Sequence, residues 1–436
     1  MYASQWIELY FDQAMKTKTE NNIRAEATIA ELVSNNKKLL EKQITPETIR
    51  KFIELCKLQQ KHERFIILLT ALCSCVDEAI MSNQNDIIEI LLEDQLNRDS
   101  LIMPIRGVPS ETPQTVQIEL DPGVWVDFKD FQQASKEQDQ GRLYKYYVAL
   151  VDLAAELCLQ RNYRAFQALQ EIFPFEYIYD DRCYSLLMDP ELSSKIKSKF
   201  VKLLLNLHID RDPLGALNVP NFTRVWNELQ LNQEVFIQSS KIEIPVHIMK
   251  VKAFVQDYLV RTGGVQSIFD QDKNRMTLEV LKLVKFMVGY GFYKSQEELK
   301  EIALPLVALL NGTTDIYEAQ SEQLALQEEE EPVEGLKRGT GDRHTAERYK
   351  ITEDNLLIMK CKQFVCEILI KMSDIENDMK MTQFFLFFKQ ETHANGEDPP
   401  DNEDYPGSFK GTKKGGYAKL GSDEELKKPS EGAGPP

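Results

Sequence analysis

Within the stretch Asp189 to Trp226, Leu192, Ile196, Phe200, Leu203, Leu204 and Leu207 recur at steps of three and four residues. That spacing puts all six on one side of an α-helix but on both sides of a strand, so only a helix buries them together. Asp189, Pro190 and Glu191 predict the helix start. The aspartate caps free amides, the proline occupies a position where its missing N–H costs nothing, and the glutamate faces the positive dipole end. Ser193, Lys197, Ser198 and Lys202 fall off the stripe and are expected on the solvent side. Pro213 predicts the end, because it drives Asp212 out of the α region and leaves Asp210, Arg211 and Asp212 as a charged turn.

The same period governs most of the chain. Ala27 to Leu40 carries Ile29, Leu32, Val33, Leu39 and Leu40, and Thr45-Pro46-Glu47 is a cap, an N1 proline and an acidic first turn for a helix holding Ile49, Phe52, Ile53 and Cys56. Residues 1–97 thus read as a helical start of four or five helices. Over 98–124 six prolines and glycines punctuate the chain, and Val116, Ile118 and Leu120 alternate with polar residues, which predicts a loop with one short strand. Helical spacing returns over 125–312, through Tyr147, Leu150, Val151, Ala154, Leu157 and Cys158, and again through Leu278, Leu281, Val284, Lys285 and Val288. Gly291 stands where a helix C′ glycine belongs, and Ser295 to Glu298 is a capping-box pattern. Residues 313–354 include a Glu328 to Glu331 run and almost no apolar periodicity, so a disordered acidic linker is expected. Over 355–390 one or two helices return through Leu357, Cys361, Phe364, Val365 and Ile368, a stripe expected to dock beside the Asn274 to Leu310 helices. Residues 391–436, rich in Gly, Pro, Lys, Asp and Glu, are expected to be a disordered tail. The fold class implied is all-α, an irregular armadillo/HEAT-like α-solenoid without a fixed-period sequence repeat.

Composition excludes several functions. Lys+Arg 52 against Asp+Glu 69 leaves a net charge of −17, which opposes a phosphate backbone, so no nucleic-acid partner is expected. The longest apolar runs, Phe65 to Leu72 and Phe384 to Phe388, fall well short of the ~20 residues that span a bilayer, so no membrane span is expected. Met1 to Tyr10 has no basic start and no continuous apolar run, which points to the cytoplasm. Seven scattered cysteines, at 56, 73, 75, 158, 183, 361 and 366, form no Cys-x-x-Cys pair and read as reduced, buried thiols.

No catalytic, cofactor or metal signature appears: nothing fits a phosphate loop, a zinc motif or a Ser-His-Asp set, and the chain reads as a non-enzyme. His208 sits at the edge of the apolar stripe and is expected to be hydrogen-bonded and partly buried. Asp210 and Asp212 invite a calcium reading, but such a loop needs about six or seven oxygens around a glycine-containing turn, and Arg211 and Pro213 interrupt this one. Helix capping, or pairing with Arg211 or Arg224, is the expectation. Lys195, Lys199 and Lys202 share a helix side that would suit an inositol phosphate, yet a lysine row beside an apolar stripe is ordinarily a solvated face. Trp125 and Trp226, with apolar neighbours, are expected as core anchors.

Beyond this, LLLNLHIDRDPLGALNVPNFTRVWNEL at 203–229 resembles a segment in the cytoplasmic region of inositol trisphosphate receptors, the intracellular calcium-release channels related to ryanodine receptors. There too an apolar helix runs into a His-x-Asp-Arg-Asp-Pro turn, followed by Arg-x-Trp. Asn35 to Thr45, LCLQRNYRAFQ at 157–167, and the helix, Gly-Phe-Tyr, helix arrangement at Gly291 to Tyr293 resemble the same receptors, in the same order. The resemblance implies a segment of a helical cytoplasmic lever that carries ligand-induced rotation toward a pore. It implies partners among other domains or subunits of a tetrameric calcium-release channel, at the cytosolic face of the endoplasmic reticulum or another calcium-store membrane. In that family the ligand pocket belongs to a β-trefoil and an adjoining helical module, and nothing in this chain resembles either. The alternative is a stand-alone helical-repeat adaptor that binds other proteins.

Overall fold

The computed structural model describes residues 25–33, 36–58, 61–108, 115–136, 138–174, 182–210, 246–262, 264–293, 295–312, 315–317 and 351–394. Expectations that fall on 1–24, on 211–245, on 318–350 or beyond 394, including those for Arg211, Asp212, Pro213, Arg224 and Trp226, lie outside the described residues. The chain divides into two units, Met1–Asp378 and Met379–Pro436.

The first unit is mainly helical. It opens with α1 (Ala25–Val33), α2 (Lys37–Gln43), α3 (Pro46–Leu58) and α4 (Glu63–Cys73). The helical spacing over Ala27 to Leu40 is shared by two helices, the second started by Asn36 as an N-cap, accepting the Leu39 amide at 3.2 Å. A hairpin of β1 (Ser74–Cys75) and β2 (Glu78–Ala79) follows, then α5 (Met81–Ile87), which runs into a π-helical turn at Ile88–Glu93, and α6 (Gln95–Leu101).

Where one strand was expected there are three: β3 (Ile105–Val108), β4 (Thr115–Asp121) and β5 (Val124–Asp127), antiparallel in the order β3-β4-β5. Ile105 opposes Ile118, and Ile118 opposes Val126. Pairing across β4 satisfies backbone groups on both its sides, which a lone strand cannot do. The fold is therefore mainly α with a small sheet rather than all-α. Trp125 is not a core anchor; it is half-buried on β5 with the Arg106 guanidinium 4.2 Å above its ring.

Next come α7 (Phe128–Gln133), α8 (Gln138–Leu157), α9 (Tyr163–Leu169), α10 (Arg182–Met188) and α11 (Ser194–Leu204), the last extended by a π-helical turn at Leu205–Ile209. The start of α11 differs from the sequence expectation. Its N-cap position is Ser193, and Asp189 instead accepts the Glu191 amide at 3.0 Å within a turn while its other oxygen lies 3.3 Å from Lys129. The helix begins at Ser194, so Asp189 closes only the turn before it, and its second oxygen is left for a lysine from α7. All six residues of the predicted stripe are buried, but so are Ser198 and Val201, because α11 is covered on two sides. The long helices stack in chain order: α4 against α8, α8 against α11, and α11 against α13 (Gln271–Gly289). Ahead of α13, α12 (Val246–Thr262) lies against α14 (Gln296–Asn311).

Two caps behave as their residues predict. Gly291, at φ 70°, follows α13, with its amide on the Val288 carbonyl and the Phe292 amide on the Met287 carbonyl, both at 3.1 Å: the paired bonds of a Schellman ending. Ser295 accepts the Glu298 amide at 3.2 Å to start α14.

The stretch expected as a linker is folded at both edges. Ile316 bridges to Ser267, and Tyr317 is buried. At the far edge α15 (Glu353–Ala394) starts within the predicted linker and runs four residues into the predicted tail. Within the first unit, Ile358, Cys361, Val365 and Ile368 of α15 are buried. The Cys361 thiol donates to the Asn274 carbonyl at 3.6 Å, and Lys285 meets Glu367 at 2.6 Å, so this face lies on α13. Of the second unit only the helical residues up to Ala394 are described; Phe384, Phe385 and Phe387 there are exposed. Six cysteines are buried, whereas Cys366 is exposed because it falls on the far side of α15 from that face.

Candidate functional site

The turn between α8 and α9 places two non-glycine residues, Gln160 and Arg161, at φ 59° and 64°. Such left-handed backbone is disfavoured for L side chains and persists only where the surroundings hold it. Asn162 supplies one restraint, capping α9 by accepting the Arg164 and Ala165 amides at 3.1 and 3.3 Å. Arg161 supplies another. Its Nε donates to Asp210 Oδ1 at 2.8 Å and its Nη2 to the Tyr290 hydroxyl at 2.9 Å, while that hydroxyl donates to the same Asp210 oxygen at 2.6 Å.

Asp210 follows the π turn of α11, and Tyr290 is the C-cap of α13. The C-terminal ends of three successive stacked helices therefore close on one triad. Helix C-termini are electronegative, so a guanidinium belongs there and a carboxylate does not, unless it is paired. The hydrogen bond to Asp210, reinforced by that to Tyr290, drives the Arg161 pKa upward. Burial, with the hydrogen bond to Asp210, pushes the Tyr290 phenol up to about 12. The arrangement ties the helix ends together: a planar, five-donor cation holds two acceptors from different helices.

The Asp210 carboxylate thus pairs with an arginine from outside its own turn. Its partner lies 49 residues earlier, and among the described residues no group of three or more His, Cys, Asp or Glu side chains is arranged to hold a metal ion. His208 is buried, with Nε2 3.2 Å from the Phe173 carbonyl oxygen.

The lysine row splits. Lys195 is exposed, but Lys199 and Lys202 grip the two oxygens of Asp152 on α8 at 2.6 and 2.7 Å, and Lys202 also meets Glu156 at 2.7 Å. These two are not a solvated face, because α8 sets two carboxylates one turn apart against them. Burial opposes the charge of Lys202, yet Asp152, Glu156 and Glu279 outweigh it and raise its pKa. With their charge already matched, Lys199 and Lys202 leave little for a phosphate to bind.

Periodicity missed a set of buried amides that tie helices together. Asn83 Nδ2 donates to the Leu40 and Leu72 carbonyls at 3.1 Å each, Gln84 Nε2 to the Glu156 carbonyl at 2.8 Å, and Asn206 Nδ2 to the Ala155 carbonyl at 2.8 Å. Each meets a carbonyl near a helix end, where the backbone lacks its own partner. Their one sequence signal is a polar residue interrupting an apolar helical run.

Residues 6–104 match the RIH domain family, which takes its label from ryanodine and inositol trisphosphate receptors. The chain is 24% identical over 398 residues to an inositol 1,4,5-trisphosphate receptor of Caenorhabditis elegans, covering 84% of this chain and 13% of that protein. It is also 24% identical over 212 residues to inositol 1,4,5-trisphosphate receptor-like protein A of Dictyostelium discoideum, covering 49% of this chain and 6% of that protein. The chain thus spans a small part of the length of these relatives. No helix among the described residues is long and apolar enough to cross a membrane.

Proposed function

Because the chain belongs to the inositol trisphosphate receptor and ryanodine receptor family, we propose that it acts as a non-catalytic helical segment of a calcium-release channel, an irregular α-solenoid that couples ligand binding to gating. Its partners in this reading are other domains or subunits of a tetrameric channel at the cytosolic face of a calcium-store membrane such as the endoplasmic reticulum. One observation carries the proposal. Arg161 and Asp210 come from two of the four segments that resemble the receptors, Tyr290 directly precedes a third, and the three meet within 2.9 Å of one another. A joint that fixes the ends of three stacked helices passes rotation of one helix to the next, since packed interfaces shift between discrete arrangements rather than deform continuously. Coupling of this kind is a free energy of ~1–3 kcal/mol, within what one such joint supplies.

The test replaces the matching segment of the Caenorhabditis elegans receptor with this chain and measures calcium release from vesicles. Arg161→Ala in that chimera is expected to leave ligand affinity near its starting value and to lower maximal release. Release from the variant equal to that of the unaltered chimera refutes the lever role. A second reading, a helical adaptor that binds other proteins, is favoured by an open cleft between α4 and α8.

A further inference from the structure

The cleft has a volume of about 510 Å³ and lies between α4, the β1–β2 hairpin and α8. Its apolar lining includes Ile67, Val76 and Ala149, and its charged lining is acidic throughout: Asp77, Asp152 and Glu156. We propose that this cleft receives an arginine side chain presented by a partner polypeptide, with the stem on Ile67 and Val76 and the guanidinium among the three carboxylates.

Three observations converge on that occupant. The first is charge: Lys199 and Lys202 neutralise two of the three carboxylates, which leaves one negative charge facing the opening, and one guanidinium balances it. The second is an orphaned atom. Glu156 Oε1 is held by Lys202, but Glu156 Oε2 is out of solvent with no hydrogen-bond partner. A carboxylate oxygen in that state costs stability unless a donor reaches it, and a guanidinium brings five.

The third is the rim. Val76 and Asp77 form the hairpin turn at φ 52° and 62°, conformations that favour Gly or Asn over valine. Val76 nevertheless stays 72% exposed and Ile67 51% exposed, so within the described residues neither side chain repays its placement by burial. The hairpin is held in position beforehand, by Lys37 on Glu78 at 2.7 Å and by the Ala79 amide on Gln160 Oε1 at 3.1 Å. Apolar walls leading to an acidic floor match a side chain with a greasy stem and a cationic head, and the volume falls in the range of sites that enclose small ligand groups. Arginine fits better than lysine because its planar fork reaches two carboxylates at once. The assignment does not depend on the lever role.

Fluorescence anisotropy on the full chain tests this with four labelled heptapeptides, identical except for a central arginine, lysine, citrulline or glutamate between leucines. The arginine peptide is expected to saturate, the citrulline peptide to bind roughly tenfold more weakly for the loss of one charge-assisted contact, and the glutamate peptide not to bind. Asp77→Asn and Glu156→Gln should weaken the arginine peptide while leaving citrulline binding unchanged. Val76→Gly, which suits the left-handed backbone and so preserves the turn, should weaken both. Circular dichroism melts establish that each variant is folded. Failure of the arginine peptide to bind at millimolar concentration overturns the assignment; so does equal binding of arginine and citrulline peptides, or unchanged arginine binding by folded Asp77→Asn and Glu156→Gln chains.

Discussion

Lys362 of α15 places its ammonium 2.7 Å from Asp315 Oδ2 at a point where the two side chains are 7% and 0% exposed. The same ammonium donates to the Leu309 carbonyl at 2.8 Å, in the last turn of α14, while Asp315 Oδ1 accepts the Gln266 amide at 3.1 Å. One buried pair thereby joins four pieces of chain: the loop before α13, the end of α14, the segment just after it, and α15.

Removing one partner leaves the other charged and out of water, which costs ~3–5 kcal/mol. Lys362→Met should therefore lower the urea midpoint steeply, whereas Lys362→Met combined with Asp315→Leu should recover most of the loss. A double variant as unstable as the single one shows that the pair is not what holds α15 in place.

Tyr290→Phe deletes both the hydrogen bond accepted from Arg161 and the one donated to Asp210. The expected loss at neutral pH is ~1–3 kcal/mol by urea unfolding. Because the folded phenol titrates near 12 rather than at its ordinary value, its contribution is complete below that ordinary value and is lost as pH climbs toward 12. The gap between the native chain and Tyr290→Phe should narrow over that window and stay constant below it.

Asp152 behaves in the opposite sense. Burial opposes its ionisation, but Lys202 and Lys199 together outweigh burial and hold its carboxyl below the usual range. Its stabilisation is present above the unfolded value and fades as pH falls through the folded one. Asp152→Asn should cost ~1–3 kcal/mol near neutrality, where it leaves Lys199 without this partner and Lys202 with Glu156. The difference from the native chain should shrink below pH ~4, and an acid titration in which it holds constant contradicts the pairing.

Gly291→Ala tests the ending of α13. An alanine forced to φ 70° is strained by ~1 kcal/mol or more, so the variant should melt a few degrees lower. Glycine, alanine and asparagine at this position should rank in that order of destabilisation reversed for the last two, because asparagine tolerates left-handed backbone better than alanine.

Whatever depends on residues a few steps apart was legible in the chain. The stripe Leu192 to Leu207, the Thr45-Pro46-Glu47 start, the Gly291 ending and the Ser295 cap are settled within one or two helical turns, where side-chain spacing and backbone hydrogen bonding leave few options.

What tertiary structure alone decided is which polar groups meet. Asp189 closes a turn ahead of the helix and pairs with a lysine from another helix, and Lys202 looked solvated until α8 presented Asp152 and Glu156 to it. Asp210 found Arg161 rather than a neighbour, and Lys362 found Asp315. Apolar burial is nonspecific, proportional to area and readable from a helix by itself. An ion pair or a buried amide needs one particular partner at about 3 Å, and the separations of 46 to 60 residues between these ion-pair partners are closed only when the helices have stacked.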